Sequence, residues 1–252
     1  MIKFFRHIRR SLINQNQMGK YFKYAIGEIA LVMIGILLAL QVNNWNEQRK
    51  SNEYERQLLV QLRNDLELNI KDLKINSRLL EQTINSTGIL ELHLQQKLPY
   101  HDTLEIHFSN SGIWTKFLVN AGAYKTIESK GLDLISNLEL RDLIFRIYEG
   151  NLNWLKHLES IIINQVENFR TKEAFNYYSK YNAITIQEGS FKSGDSKILN
   201  YDKILGDEKF RYYLNSVNNQ NKLLLHESNA FLKDNQQGVQ LINELLNTHE
   251  ND

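Results

Sequence analysis

Residues 25–42, AIGEIALVMIGILLALQV, decide how this chain is read. A helix rises about 1.5 Å per residue, so these 18 residues reach roughly 27 Å, enough to cross a bilayer core with little tilt. Working outward, Tyr21, Phe22 and Tyr24 precede the run and Trp45 follows it, the aromatic pattern of two membrane interfaces. Further out, Lys3, Arg6, Arg9, Arg10, Lys20 and Lys23 stand before Tyr24 with no acidic residue among them. The remaining 24 basic and 29 acidic residues make the rest of the chain net negative, although the whole carries +1. Cations flanking a first membrane helix are retained in the cytoplasm, which predicts a cytoplasmic N-terminal arm and a translocated C-terminal part.

A cleaved signal peptide has the same basic-then-apolar order. Here the run is longer than a usual signal core, and its exit, LLALQVNNWNE, offers no small-residue pair for the peptidase. An uncleaved anchor is therefore expected. The chain of 252 residues contains no cysteine, which excludes disulfides, thiol nucleophiles and cysteine metal sites. Its 42% hydrophobic content allows a real core beyond the anchor, in one large domain or two small ones.

Periodicity extends the reading in both directions. In residues 2–13, Ile2, Phe5, Ile8 and Leu12 share one helical face while the arginines point elsewhere, so the arm predicts a short interfacial helix against anionic headgroups. After Trp45, Leu59, Leu62, Leu66, Ile70, Leu73, Leu80 and Ile84 form a stripe at helical spacing. That helix must end near Pro99, the only proline. Residues 98–137 read as a loop region with a small helical hairpin, where AYKTIESKGLDLI gives helix, glycine stop and new start. A second stripe runs through Leu140, Ile144, Ile147, Leu155, Leu158, Ile162, Val166 and Phe169. Residues 182–207 carry a loop signature, with Ile184 to Gln187 as candidate extended structure. A third long helix places Phe210, Leu214, Val217, Leu224, Phe231 and Ile242 on a heptad frame that also includes Asn221, Ser228 and Asn235. Those three polar residues either set register or partner within a seam, or face solvent at a bundle edge.

The candidate site lies in the membrane run. Seven and eleven residues beyond Glu28, at 100° per residue, Gly35 and Ala39 fall about 20° to either side of it, so an acid and a small-xxx-small pair share one face. Such a face suits a helix–helix contact; alternatively Glu28 snorkels to the cytoplasmic interface and meets Lys20, Lys23 or a headgroup. His93, His101 and His107 with Asp102 and Glu105 have ligand-like composition but no metal-site spacing, and read as surface groups around a loop. There is no G-x-S-x-G, Walker A or G-x-G-x-x-G, so no catalytic residue, metal or cofactor is expected. Dispersed basic residues in an acidic C-terminal part argue against nucleic acid.

Three stretches, MIKFFRHIRR, KYAIGEIALVMIGILLALQVNNWNE and AYKTIESKGLDLISNLELR, resemble a bacterial membrane-protein family known as domain of unknown function 6090. Glu28, Gly35 and Trp45 match its N-terminal signature, and the layout is similar over roughly the whole length. The resemblance implies a single-pass protein of Gram-negative bacteria with a helical extracytoplasmic part, and supplies no activity, cofactor or catalytic residue. Taken together, the expectation is an all-α chain: cytoplasmic basic arm (1–23), transmembrane helix (24–45) and an extracytoplasmic antiparallel helical bundle (46–252) in the inner membrane. The expected role is a membrane-anchored interaction or scaffolding protein acting through Glu28, Gly35 and Ala39, with itself or another membrane protein as partner. The alternative is a sensor-like ectodomain that binds a small ligand and signals through a membrane partner.

Overall fold

A computed structural model describes residues 18–187 and 190–248. The expected interfacial helix of residues 2–13 lies outside the described residues. The described residues are mostly helical, with four short strands among them, and the chain divides into two compact units, Met1–Glu55 and Arg56–Asp252.

Helix α1, Met18–Gln95, is assigned without a break over 78 residues. Within the first unit its segment from residue 26 to 42 has every large apolar side chain more than half exposed, Leu31 at 68% and Val42 at 65% among them. It is the one stretch of the described chain long and apolar enough to cross a membrane.

In the second unit α1 buries a different kind of face. Leu59, Leu62, Leu66, Leu73 and Leu80 are buried as the apolar stripe predicts, while Ile70 and Ile84 are only half-buried, and the buried face continues beyond the stripe at Leu90 and Leu94. The positions that complete the alternating four- and three-residue steps are polar: Asn69, Asn76, Thr83 and Thr87. Both threonines satisfy their hydroxyls on their own helix, Thr83 to Leu79 O at 3.0 Å and Thr87 to Thr83 O at 2.8 Å, which lets them be buried at little cost. The helix stops four residues before Pro99. Lys97 takes a left-handed φ of 51°, and the Leu98 N–H turns back to His93 O at 3.0 Å.

Two short helices follow, α2 (Leu104–Asn110) and α3 (Gly122–Lys130), the latter ended by Gly131 at φ 115° and continued by the 3-10 turn Leu132–Leu134. The helix, glycine stop and new start expected of AYKTIESKGLDLI are thus present, and residues 113–121, between the two helices, adopt no regular structure. Helix α4 (Leu138–Phe145), capped by Asn137 on Leu140 N–H, runs through a π-helical turn, Arg146–Asn151, into α5 (Leu152–Lys172). All eight residues of the predicted second stripe are buried.

Within 182–207, read as a loop with Ile184 to Gln187 extended, that stretch is strand β2 (Ile184–Gln187), paired antiparallel with β3 (Ser190–Ser193) in register Ile184↔Ser193 and Ile186↔Phe191, while β1 (Tyr178–Lys180) pairs with β4 (Lys197–Ile198). Gly194 allows this crossing, since a Cβ there would sit 1.7 Å from Asn182 O. Helix α6 (Tyr201–Leu205) leads to α7 (Glu208–Thr248), whose first turn is capped by Asp207 on the N–H groups of Lys209 and Phe210.

Helix α7 runs antiparallel to α1 and α5. Arg63 donates to Asn243 at 3.1 Å at one end, and Asn218 donates to Glu91 at 3.2 Å at the other. Phe169 of α5 stacks on Tyr213 at 3.9 Å, and Arg146 and Asn151 of the π-helical turn before α5 reach Asp234. The heptad positions of α7 are buried throughout, including Asn221, Ser228 and Asn235 at 0%, 3% and 0% exposure. The solvent-facing reading of these three is thereby corrected: the frame they occupy is the face turned to the core.

A strapped cleft in the second unit

Residues 113–121 have no backbone ladder, so their N–H groups need other acceptors. Side chains of α1 and α5 provide them. Glu159 accepts from Phe117 N–H at 2.7 Å, Asp72 from Leu118 N–H at 3.0 Å and Asn69 from Asn120 N–H at 2.7 Å. Asn69 also donates to Asn120 O, where the Tyr148 hydroxyl donates too, and Asp65 holds Ala123 N–H at 2.8 Å as α3 begins. The segment is a strap laid across helices and tied by carboxylates and one amide. Phe117 anchors it from beneath, buried and edge-on to Phe231 of α7 at 5.5 Å.

Glu159 is the unusual member. It is 5% exposed, and burial pushes its carboxyl up to about 7, with the nearby Asp72 charge adding to that while the Phe117 N–H, Lys116 and Lys156 oppose it.

Beside the strap lies a cleft of about 730 Å³. Helix α1 contributes Asp72, Ile75, Asn76 and Leu79, one face at helical spacing. The strap contributes Ile113, Trp114, Thr115, Lys116 and Leu118, and α5 contributes Glu167 and Arg170. The far wall is Tyr181 to Ile184 with Phe191 of β3. Much of the lining is apolar and open to solvent: Leu118 is 66% exposed, Phe191 54%, Ile75 40% and Trp114 39%.

The polar groups of the cleft are mostly engaged with one another. Glu167 is bound by Arg170 and accepts from Trp114 Nε1 at 3.0 Å, which fixes the indole, and these bonds, Arg170 foremost, hold its carboxyl below the usual range. Asp72 is held by Leu118 N–H and by Asn76 at 3.0 Å. Tyr181 differs. Its hydroxyl is buried with no well-formed hydrogen bond among the described residues, and burial pushes the phenol up to about 12, so it stays protonated. Gly112 makes room for it, since a Cβ there would sit 2.1 Å from the Tyr181 oxygen. Behind Tyr181 an aromatic cluster of Phe169, Tyr178, Phe210 and Tyr213 fills the core.

The cleft's carboxylates are tied down, and its lining combines exposed apolar groups with a few fixed polar ones. Sequence reasoning missed it because its ties join residues 42 to 58 apart. One signal was readable: Asn69 and Asn76 fall on the frame set by Leu62, Leu66, Leu73 and Leu80.

The residues singled out in the apolar run belong to the first unit. Glu28 is half-exposed, Gly35 and Ala39 are exposed, and a Cβ at Gly35 would meet nothing within 4 Å. His101 contacts Thr103 and His107 contacts Ser86, and among the described residues no group of three or more His, Asp or Glu is placed to share a metal ion.

A family model, DUF6090, described as a family of unknown function, matches residues 28–221, a span that includes the whole lining of the cleft. No curated protein and no solved structure matches the chain.

Proposed function

The chain belongs to the DUF6090 family, a family of unknown function, and from that premise we propose that it is a membrane-anchored capture protein whose extracytoplasmic helical bundle holds a small ligand in the strapped cleft. The cleft itself carries this reading: its volume lies in the range of small-molecule sites, and it has the apolar lining with a few fixed polar groups typical of them. The basic arm stays in the cytoplasm, residues 24–45 cross the inner membrane, and the chain performs no catalysis. A membrane partner, or a second copy, would receive the signal of ligand binding.

The test is native mass spectrometry of the full-length chain released gently from its own membranes. Wild type is expected to carry small-molecule adducts that a Leu118→Asp variant loses. Identical bare masses for both proteins would sink the capture reading.

A second reading rests on the open face at Gly35. There Glu28, Gly35 and Ala39 would admit another helix, making the chain a scaffold for itself or for another membrane protein.

A further inference from the structure

The charges of the cleft restrict what it can hold. Asp72 and Glu167 face Lys116 and Arg170, so the lining is balanced in sign. Both carboxylates are already committed, Asp72 to the strap and Asn76, Glu167 to Arg170 and Trp114. A ligand of either charge seated against them would have to break one of these ties and leave a partner uncompensated. Lys116 is exposed, where water and salt screen it. An uncharged molecule disturbs none of this. Its apolar part would cover Ile75, Trp114, Leu118 and Phe191, which water now reaches.

One polar atom in the lining still needs a partner. The Tyr181 hydroxyl is buried with no well-formed hydrogen bond among the described residues, the Tyr213 phenol being its near polar neighbour. A buried hydroxyl left unpaired is costly, so a ligand oxygen or N–H brought against Tyr181 from the cleft would relieve that cost.

We propose that the cleft takes a diffusible, uncharged amphiphile: a compact aliphatic or aromatic body bearing one hydroxyl or carbonyl that hydrogen-bonds the Tyr181 hydroxyl. This rests on reading the cleft as a binding site, and the experiment separates the two claims. Full-length chain in lipid nanodiscs is photolabelled with three probes of one shape, 4-benzoylbenzyl alcohol (neutral), 4-benzoylbenzoate (anionic) and 4-benzoylbenzyl-trimethylammonium (cationic), and the labelled residues are mapped by mass spectrometry. Labelling within residues 22–45 reports partition into lipid and is scored apart.

The neutral probe is expected to label the strap and β3 saturably, with the charged probes about tenfold weaker or more. Tyr181→Phe, which removes only the orphaned hydroxyl, should weaken the neutral probe about fivefold while leaving the melting temperature unchanged or higher. Saturable labelling of the cleft by a charged probe as strongly as by the neutral one would overturn the ligand class and leave the binding site standing. An unchanged neutral affinity in Tyr181→Phe would remove the hydroxyl from the proposal. Labelling of strap and β3 no greater in wild type than in Leu118→Asp would overturn the binding site itself.

Discussion

Glu159 shows how one buried carboxyl can couple proton uptake to the fold. Its folded pKa, about 7, lies above the ordinary carboxyl value, so the native state binds this proton more tightly than the unfolded chain does. The stabilisation from that proton is complete below the unfolded value of about 4.3 and is lost as pH rises through 7. Urea unfolding of the full chain should therefore show stability falling between pH 5 and pH 8, by at most about 3 kcal/mol from this group. Glu159→Gln keeps an acceptor for Phe117 N–H and removes the charge, so it should flatten that slope and exceed wild type at pH 8. Glu159→Leu should instead cost about 1–3 kcal/mol at every pH, because Phe117 N–H is left buried and unpaired. A wild-type slope that survives unchanged in the glutamine variant would assign the titration to another group.

At the level of elements, α7 packs tightly against α1 at Gly238, where a Cβ would lie 2.8 Å from Leu66 Cδ1. A large side chain cannot enter there, and Gly238→Leu is expected to lose about 1–3 kcal/mol. Gly88, in the interior of α1, has nothing within 4 Å of its Cβ position, so Gly88→Ala should gain about 0.5–1 kcal/mol from helix propensity alone. Equal melting shifts for the two would refute the close approach. Farther along α7, both amide atoms of Asn221 are buried with no partner among the described residues. Asn221→Leu should therefore raise stability by about 1 kcal/mol, and a loss instead would mean that the amide has a role in register that its contacts do not display. These seams mark the limit of what was legible. Leu62, Leu66, Leu73 and Leu80 announce their helix by apolar spacing, and Phe210 to Ile242 do the same. Asn69, Thr83 and Asn221 share those frames but look like surface residues, because a pattern of apolar types registers only the residues that need no partner. The strap was harder still: its backbone bonds go to Asp72 and Glu159, and nothing local in residues 113–121 specifies them.

For the whole molecule, the exposed apolar surface of residues 26–42 needs an environment that water does not provide. A helix of that length and composition is satisfied by lipid, and under the proposed reading its flanking cations set the direction of insertion. Because the chain has no cysteine, each introduced one is unique and reports its own side of the membrane. In spheroplasts, a membrane-impermeant maleimide should label Ala230→Cys, on the exposed face of α7, without lysis, and Ser11→Cys only after lysis. The opposite pattern would invert the topology and place the cleft in the cytoplasm. The same preparation separates anchoring from assembly. Gly35 has open space around it, so Gly35→Leu should leave insertion and melting unchanged, while any crosslinked complex built on the Glu28 and Ala39 face should fall apart. If such complexes persist in that variant, the membrane helix serves as anchor alone, and whatever the protein tells its partners must pass through the cleft-bearing unit.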